Sequence, residues 1–280
     1  MTERLPIGVA LRTVRATPGW WLESARRLDA AGYAGIWAWD HFIGKGDRTV
    51  PVVEAWTMLS AVAATTRQVT VGTFVANLMN RHPAALARMA TTLQDLSDGR
   101  LVLGIGIGGH PAEHQALGIP FPETSERVAR LEEAVAVIRA IWTGGPIDRP
   151  SPFYPLADAV ISVGSSAPPP IVIAGKSAAG ARLAARIGDG WTAFDENFEL
   201  LLPTYLEALA AAGRQRADQR LLVGFEGDSW RSASTITGSP WIESPREAWA
   251  RWRDAGADGA IVLARTTEDI DALVAATDRW

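Results

Sequence analysis

The chain has 280 residues, no cysteine and a formal net charge of −4 at pH 7, with acidic and basic side chains mixed along its length. This balance lacks the basic stripe that contacts a nucleic-acid backbone, so we expect no nucleic-acid partner. No run reaches the roughly 18 apolar residues of a membrane helix, and the start lacks a signal-peptide core; we therefore expect a cytoplasmic protein that does not enter a membrane. Without cysteine, redox chemistry requires a dissociable cofactor.

Apolar runs and helical periodicities alternate along the chain. Short apolar runs predict strands, and amphipathic stretches that end at glycine or a polar turn predict helices. The predicted strands cover residues 5–11, 35–39, 69–76, 101–107, 171–174, 190–193, 221–225 and 259–263. The predicted helices cover residues 19–31, 53–66, 84–96, 124–142, 178–187, 198–212, 245–255 and 267–277. Eight strand-helix units favour an α/β protein with a closed parallel sheet, the (β/α)8 or TIM barrel.

Residues 143–170 interrupt this alternation. They are rich in proline, glycine and serine, end in Pro168-Pro169-Pro170 and show no helical period. We interpret residues 143–169 as an insertion loop between the fourth helix and the fifth strand, and residues 1–280 as a single domain. Substrate specificity is expected from this insertion and from the loop 44–50, neither of which has a recognisable chemical motif.

Polar residues follow the second predicted strand at Asp40-His41. The carboxyl ends of barrel strands are where ligands bind, and imidazole exchanges protons near neutral pH. A catalytic pair and a simple cap of the strand end are both compatible with this position.

A glycine-rich run follows the fourth predicted strand. Gly104, Gly106 and Gly109 satisfy the G-x-G-x-x-G pattern of dinucleotide-binding proteins, but no acidic residue ends a further strand about 20 residues later. We therefore expect these glycines to let a flat ring system approach the strand end, and tight packing inside the barrel is the alternative.

For two histidine motifs, a structural role is favoured over a functional one. Residues 110–114 match the H-x-x-E-H pattern of zinc peptidases, but Pro111 and the preceding glycines place His110 in a loop or first turn, so we predict no metal site. His82-Pro83 is typical of the beginning of a helix.

Gly175-Lys176-Ser177 precedes a predicted helix, whose free amides and dipole attract anions. An ordinary helix start is the alternative interpretation. The chain contains only two lysines, Lys45 and Lys176, both in loops, so a Schiff-base mechanism is not expected.

Several motifs together resemble the bacterial luciferase-like monooxygenase superfamily, in particular its coenzyme F420-dependent oxidoreductase branch, over nearly the whole chain. The motifs are Gly35-Ile36-Trp37-Ala38-Trp39-Asp40-His41-Phe42, Val71-Gly72-Thr73-Phe74-Val75-Ala76-Asn77 with Arg81-His82-Pro83, Leu96-Ser97-Asp98-Gly99-Arg100-Leu101, Glu113-His114 with Gly118-Ile119-Pro120-Phe121, and Ile173-Ala174-Gly175-Lys176-Ser177 with residues 185–191. They do not distinguish the flavin branch from the deazaflavin branch.

The resemblance implies a tricyclic cofactor across the carboxyl end of the barrel. It places His41 beside the reacting carbon, with Asp40 holding His41, and a non-prolyl cis peptide at Phe74–Val75 against the central ring. The cofactor-binding residues it implies are Phe74, Val75, Asn77, Gly106 and Gly108, with Gly175, Lys176 and Ser177 at the phosphate tail.

The function implied is hydride transfer between coenzyme F420 and a small organic substrate. The alternative is a two-component monooxygenase that uses FMN reduced by a partner reductase; a silent flavin-binding protein and a metal-dependent hydrolase are weaker readings. Sugar-phosphate dehydrogenases of the deazaflavin branch have a glutamate where this chain has Gly109 or His110, so glucose 6-phosphate is not the expected substrate. Members of the family commonly dimerise, so a homodimer is expected, as is a flavin or deazaflavin reductase that supplies reduced cofactor.

Overall fold

The computed structural model describes residues 4–44, 46–161, 164, 166–225 and 236–280, and Lys45 lies outside them. In this part of the chain, parallel strands close into a barrel with eight strand positions, one of which is shared by β3 and β4, and this confirms the predicted fold. The strands are β1 Ile7–Leu11, β2 Gly35–Ala38, β3 Thr70–Thr73 with β4 Ala76–Asn77, β5 Leu101–Gly106, β8 Ile171–Ala174, β9 Gly190–Phe194, β10 Arg220–Gly224 and β11 Gly259–Ala264. Closure is direct, because β1 pairs in parallel with β2 on one side and with β11 on the other.

Helices surround the barrel. They are α1 Pro18–Ala31, α2 Ala55–Thr65, α3 Pro83–Leu96, α4 Pro111–Leu117, α5 Thr124–Thr143, α6 Ala178–Ile187, α7 Asp195–Ala211, α8 Pro240–Glu243, α9 Pro245–Asp254 and α10 Thr267–Ala276. Of these, α4 lies at the mouth of the barrel. The largest shift from the predicted bounds is in α7, which begins three residues early at Asp195. Acidic side chains in a first turn favour the positive end of the helix dipole, and Asp195 and Glu196 supply them.

Local capping explains several of these boundaries. The Ser177 hydroxyl accepts a hydrogen bond from the amide of Gly180 at 3.2 Å, so α6 begins at the predicted residue. Gly32 ends α1 with φ at 91°, a left-handed conformation that glycine adopts without a steric penalty.

The barrel interior is filled by side chains rather than by solvent. Its buried members are Ala10, Trp37, Val102, Val172, Leu222, Ile261 and Leu263. The Trp37 indole occupies the space beside Gly8, Gly35 and Gly72, where a Cβ atom would collide with it. A larger apolar layer lies between the strands and the helices.

Two parts of the structure differ from the prediction. The insertion contains an antiparallel hairpin, β6 Pro146–Arg149 with β7 Leu156–Val160, rather than only irregular chain. The connection after β5, expected to be a loop as far as Pro122, contains the short helix α4. Its seven residues are too few for a recognisable helical period.

Within the described ranges, no helix is both long enough and apolar enough to span a bilayer.

Candidate active site

The polar residues of the barrel mouth are organised around Glu113, on helix α4. Nδ1 of His41, just beyond the carboxyl end of β2, lies 3.0 Å from Oε2 of Glu113. The backbone amide of Phe42 donates to Oε1 of the same carboxylate at 3.1 Å. The Glu113 side chain is only 1% exposed, whereas that of His41 is 30% exposed. A buried carboxylate therefore holds a histidine that faces the mouth.

A second imidazole contacts the same carboxylate oxygen. Nδ1 of His110 lies 3.2 Å from Oε2 of Glu113, and the rings of His41 and His110 meet edge to face with centroids 5.8 Å apart. Burial alone would raise the pKa of Glu113, but hydrogen bonds from His41, Phe42 and His110 together lower that pKa below its usual value. Glu113 is consequently ionised at neutral pH.

Asp40 does not hold His41, and this prediction was wrong. Both oxygens of the buried Asp40 carboxylate bind the guanidinium of Arg81, with Nη2 to Oδ1 at 2.9 Å, and Oδ2 also accepts from the amide of Asn77 at 2.9 Å. Asp40 thus ties the loop after β2 to the segment after β3. The Nδ1 atom of His41 pairs with Glu113 instead.

Asn77 is the centre of a buried hydrogen-bond network behind the mouth. Its Nδ2 donates to Oδ1 of Asn80 at 3.1 Å and lies 2.8 Å from Nε2 of His114, while its Oδ1 accepts from the amide of Met79. His114 is fully buried, and this burial lowers its pKa. The side-chain amide of Asn77 therefore forms hydrogen bonds within the protein, whereas the resemblance implies that Asn77 contacts the cofactor.

The peptide bond between Phe74 and Val75 is cis, as the resemblance implies. The ring of Phe74 lies at the top of the barrel interior, edge to face with Phe194 at 6.0 Å between centroids. Gly224 on β10 leaves room for this ring, because a Cβ atom at Gly224 would collide with it. Phe74 and Phe194 therefore provide an apolar surface at the mouth.

The glycines that end β5 have packing roles. A Cβ atom at Gly104 would collide with the carbonyl oxygen of Thr73, and one at Gly106 would lie 3.0 Å from Cγ2 of Val75. The packing alternative thus accounts for both. Gly108 has φ of +78° and turns the chain towards α4.

Gly175, Lys176 and Ser177 lie between the carboxyl end of β8 and the start of α6, as predicted. The amide of Gly175 donates to the carbonyl of Thr192 at 3.0 Å, so it is already paired. Ser177 caps α6 and Lys176 is exposed. The lysine and the first amides of α6, which have no acceptor within the helix, are the groups suited to an anion here.

The side-chain atoms of His41, His110 and Glu113 that could bind a metal ion all lie within 4.8 Å of one another. Such a group could be considered for a metal ion. However, two N–H···O hydrogen bonds to a single carboxylate oxygen account for the spacing without one.

His82 has the expected structural role: its Nδ1 accepts from the amide of Ala84 at 3.1 Å and caps α3. The contact of Glu113 with His41 was not predicted from the sequence. The signal available for it is the spacing of His110 and Glu113, three residues apart within the H-x-x-E-H pattern.

Comparison with known proteins agrees with this architecture. The profile of the luciferase-like monooxygenase family matches residues 6–226. The chain belongs to the luciferase-like monooxygenase family. Within that family, it is 34% identical over 220 residues to an F420-dependent glucose-6-phosphate dehydrogenase of Kineococcus radiotolerans, covering 76% of this chain and 64% of the relative. It is 32% identical over 231 residues to an F420-dependent hydroxymycolic acid dehydrogenase of Mycobacterium tuberculosis, covering 77% and 64%.

The chain thus spans less than two-thirds of these curated relatives. Among solved structures, an F420-dependent secondary alcohol dehydrogenase in complex with an F420–acetone adduct superposes with a TM-score of 0.84 at 19% identity, covering 99% of this chain and 98% of that one. This likeness establishes a shared fold for this member of the luciferase-like family.

Proposed function

We propose that this luciferase-like protein is an oxidoreductase that transfers a hydride between coenzyme F420 and a small organic substrate. The observation that carries the proposal is the position of His41 at the mouth, with Nδ1 on the buried Glu113 carboxylate. Relatives at 32–34% identity named as F420-dependent dehydrogenases support the choice of cofactor.

The residues at the mouth fit a flat cofactor with an anionic tail. Phe74 and Val75 present backbone and apolar side chains at the top of the barrel, and Lys176 with the start of α6 supplies positive charge at one side. When bound, coenzyme F420 would supply or accept the hydride.

The protein's own part is proton exchange and orientation. Hydride removal from an alcohol carbon requires its hydroxyl proton to leave, and the reverse reaction requires a proton donor. With Nδ1 engaged by Glu113, His41 has Nε2 available for that proton. Phe74 and Phe194 add an apolar surface at the same end of the barrel.

Titration of the apoprotein with coenzyme F420 and with FMN tests the cofactor, with the fluorescence of its 12 tryptophans as the signal. We expect a dissociation constant at least tenfold lower for coenzyme F420, a difference of about 1.4 kcal/mol. Equal or tighter FMN binding would instead favour the two-component monooxygenase.

Single-turnover hydride transfer tests the role of His41. His41→Ala should slow transfer by roughly a hundredfold or more, the scale of losing a positioned proton donor. His82→Ala is the matched control, because His82 caps α3 and should leave the rate unchanged. An unchanged rate in folded His41→Ala protein would contradict the assignment. The homodimer, the reductase partner and the cytoplasmic location stay predictions.

A further inference from the structure

Helix α4 begins without the side-chain hydrogen bonds that usually stabilise a helix start. His110 is its N-cap residue but makes no capping hydrogen bond. Glu113 is the third helical residue, a position from which glutamate commonly bonds back to the N-cap amide. By contrast, His82 at the start of α3 does cap its helix. A residue pair that forgoes a local stabilising role is expected to serve another one.

The alternative role is visible in the partners of Glu113. Oε1 accepts from the Phe42 amide, which leaves Oε2 towards Nδ1 of His41 and Nδ1 of His110. Burying a carboxylate is costly unless its oxygens are hydrogen-bonded, and these contacts meet that requirement. The Phe42 contact fixes the carboxylate in one orientation.

The chemistry of the contact determines which nitrogen of His41 has the hydrogen. An ionised carboxylate can only accept hydrogen bonds, so Nδ1 of His41 must be the donor. The neutral ring then has its lone pair on Nε2. Without the Glu113 contact, both tautomers of the neutral His41 ring would be populated. A protein molecule with the hydrogen on Nε2 could not take up a proton there.

We propose that Glu113 and His110 are positioning residues for His41: Glu113 fixes the Nδ1–H form and the orientation of the His41 ring, and His110 holds Oε2 of Glu113 in place. The consequence for catalysis rests on the proposed function. In alcohol oxidation, the hydride leaves the carbon for the oxidised cofactor, and the hydroxyl proton moves to Nε2 of His41. Nδ1–H stays bonded to Glu113, whose negative charge stabilises the imidazolium; reduction of the carbonyl compound reverses both transfers.

Glu113→Gln is the decisive variant. The single amide oxygen of glutamine is required by the Phe42 amide, so the NH2 group would face the imidazoles. Nδ1 of His41 must then accept, which moves the ring hydrogen to Nε2. Glu113→Asp, which keeps an acceptor-only carboxylate, is the second variant should the glutamine protein fold poorly.

The readout is nitrogen NMR of protein with 15N-labelled histidine at about pH 8, where neutral imidazoles dominate. The chain has four histidines, so single variants assign each signal. We expect the Nδ1–H form for His41 in the native protein and loss of that form in Glu113→Gln. Single-turnover hydride transfer should fall about a hundredfold or more, as for other wrong-tautomer variants, with an unchanged dissociation constant for the cofactor.

His110 is tested by a pair of variants. His110→Ala removes one donor to Glu113 and should slow hydride transfer roughly 3- to 10-fold, the range of a single hydrogen bond. His110→Asn places an amide donor near the position of Nδ1 and should restore most of the rate. His82→Asn is the control and should leave the His41 signals unchanged.

An Nε2–H form of His41 in the native protein, or an unchanged His41 form in Glu113→Gln, would overturn the proposal. So would equal rates for Glu113→Gln and native protein, or for His110→Ala and native protein. Failure of the proposed function is separable from these results. Coenzyme F420 could support no hydride transfer while the hydrogen on His41 still moves from Nδ1 to Nε2 in Glu113→Gln. That result would support the positioning role and contradict the proposed F420-dependent activity.

Discussion

Replacing Arg127 with methionine should loosen the connection that presents α4 to the mouth. Arg127 is 8% exposed and lies in the first turn of α5, yet only one of its hydrogen bonds, to the Thr124 hydroxyl, stays within the helix. Nη1 donates to the carbonyls of Ile107 at 2.9 Å and Gly108 at 2.7 Å, and Nε donates to that of Pro122 at 3.0 Å. The guanidinium also stacks on Phe121, 4.0 Å from the ring centre.

The size of the effect follows from the carbonyls that lose their donor. Methionine retains most of the apolar stem, so the main loss is of four hydrogen bonds from a charged group, three to backbone carbonyls and one to the Thr124 hydroxyl. Ile107, Gly108 and Pro122 are half-buried, and leaving such a carbonyl unpaired costs on the order of 1 kcal/mol, which gives about 3 kcal/mol in all. For a chain of this size, that lowers the melting temperature by roughly 5 to 10 °C.

Thermal melts and urea denaturation, compared with a matched arginine variant, measure this loss. Arg186→Met is the control, because Arg186 is half exposed and pairs with Glu132 on the surface at 3.3 Å. Exposed pairs contribute less than about 1 kcal/mol. Arg127→Lys should lie between the two, since lysine keeps the charge but not the planar fork of donors.

This stabilising role of Arg127 would be refuted if Arg127→Met and Arg186→Met melted within a degree or two of each other. It would also be refuted if Arg127→Met melted low but Arg127→Lys matched the native protein, because the charge alone would then suffice.

Three further outcomes are expected. Burial lowers the pKa of His114, so the imidazole binds a proton more tightly in the unfolded chain, and the stability of the fold should decrease as the pH drops below about 6.5. His114→Gln should flatten the dependence of the melting temperature on pH in this range. An unchanged dependence in the variant would contradict this prediction. Lys176→Ala should weaken cofactor binding, more so at low salt, with little effect on bound-state hydride transfer. Arg182→Ala, in the helix α6 that follows Lys176, should leave cofactor binding unchanged. The reverse pattern in single-turnover and binding assays would exclude Lys176 as an anchor. Treatment with EDTA should leave hydride transfer unchanged, because hydrogen bonds account for the cluster at Glu113; a loss restored by added Zn²⁺ would contradict that account.

The sequence by itself determined the barrel and the order of its units. Strand and helix periods are local properties, and so are the caps: Ser177 begins α6, and Gly32 ends α1 in a conformation that favours glycine. The family resemblance, read from motifs, also located the cis peptide between Phe74 and Val75.

Only the tertiary structure decided which side chains pair at the mouth. Asp40 is adjacent to His41 in sequence, but beyond a strand end its side chain turns to Arg81, 41 residues away. His41 instead meets Glu113, 72 residues away, on a helix too short to show a period. Adjacent residues on an extended chain point in different directions, whereas closure of the barrel brings the loops after β2 and β5 to the same end. The partner of a buried carboxylate is therefore set by the geometry of closure, which no local pattern of residues encodes.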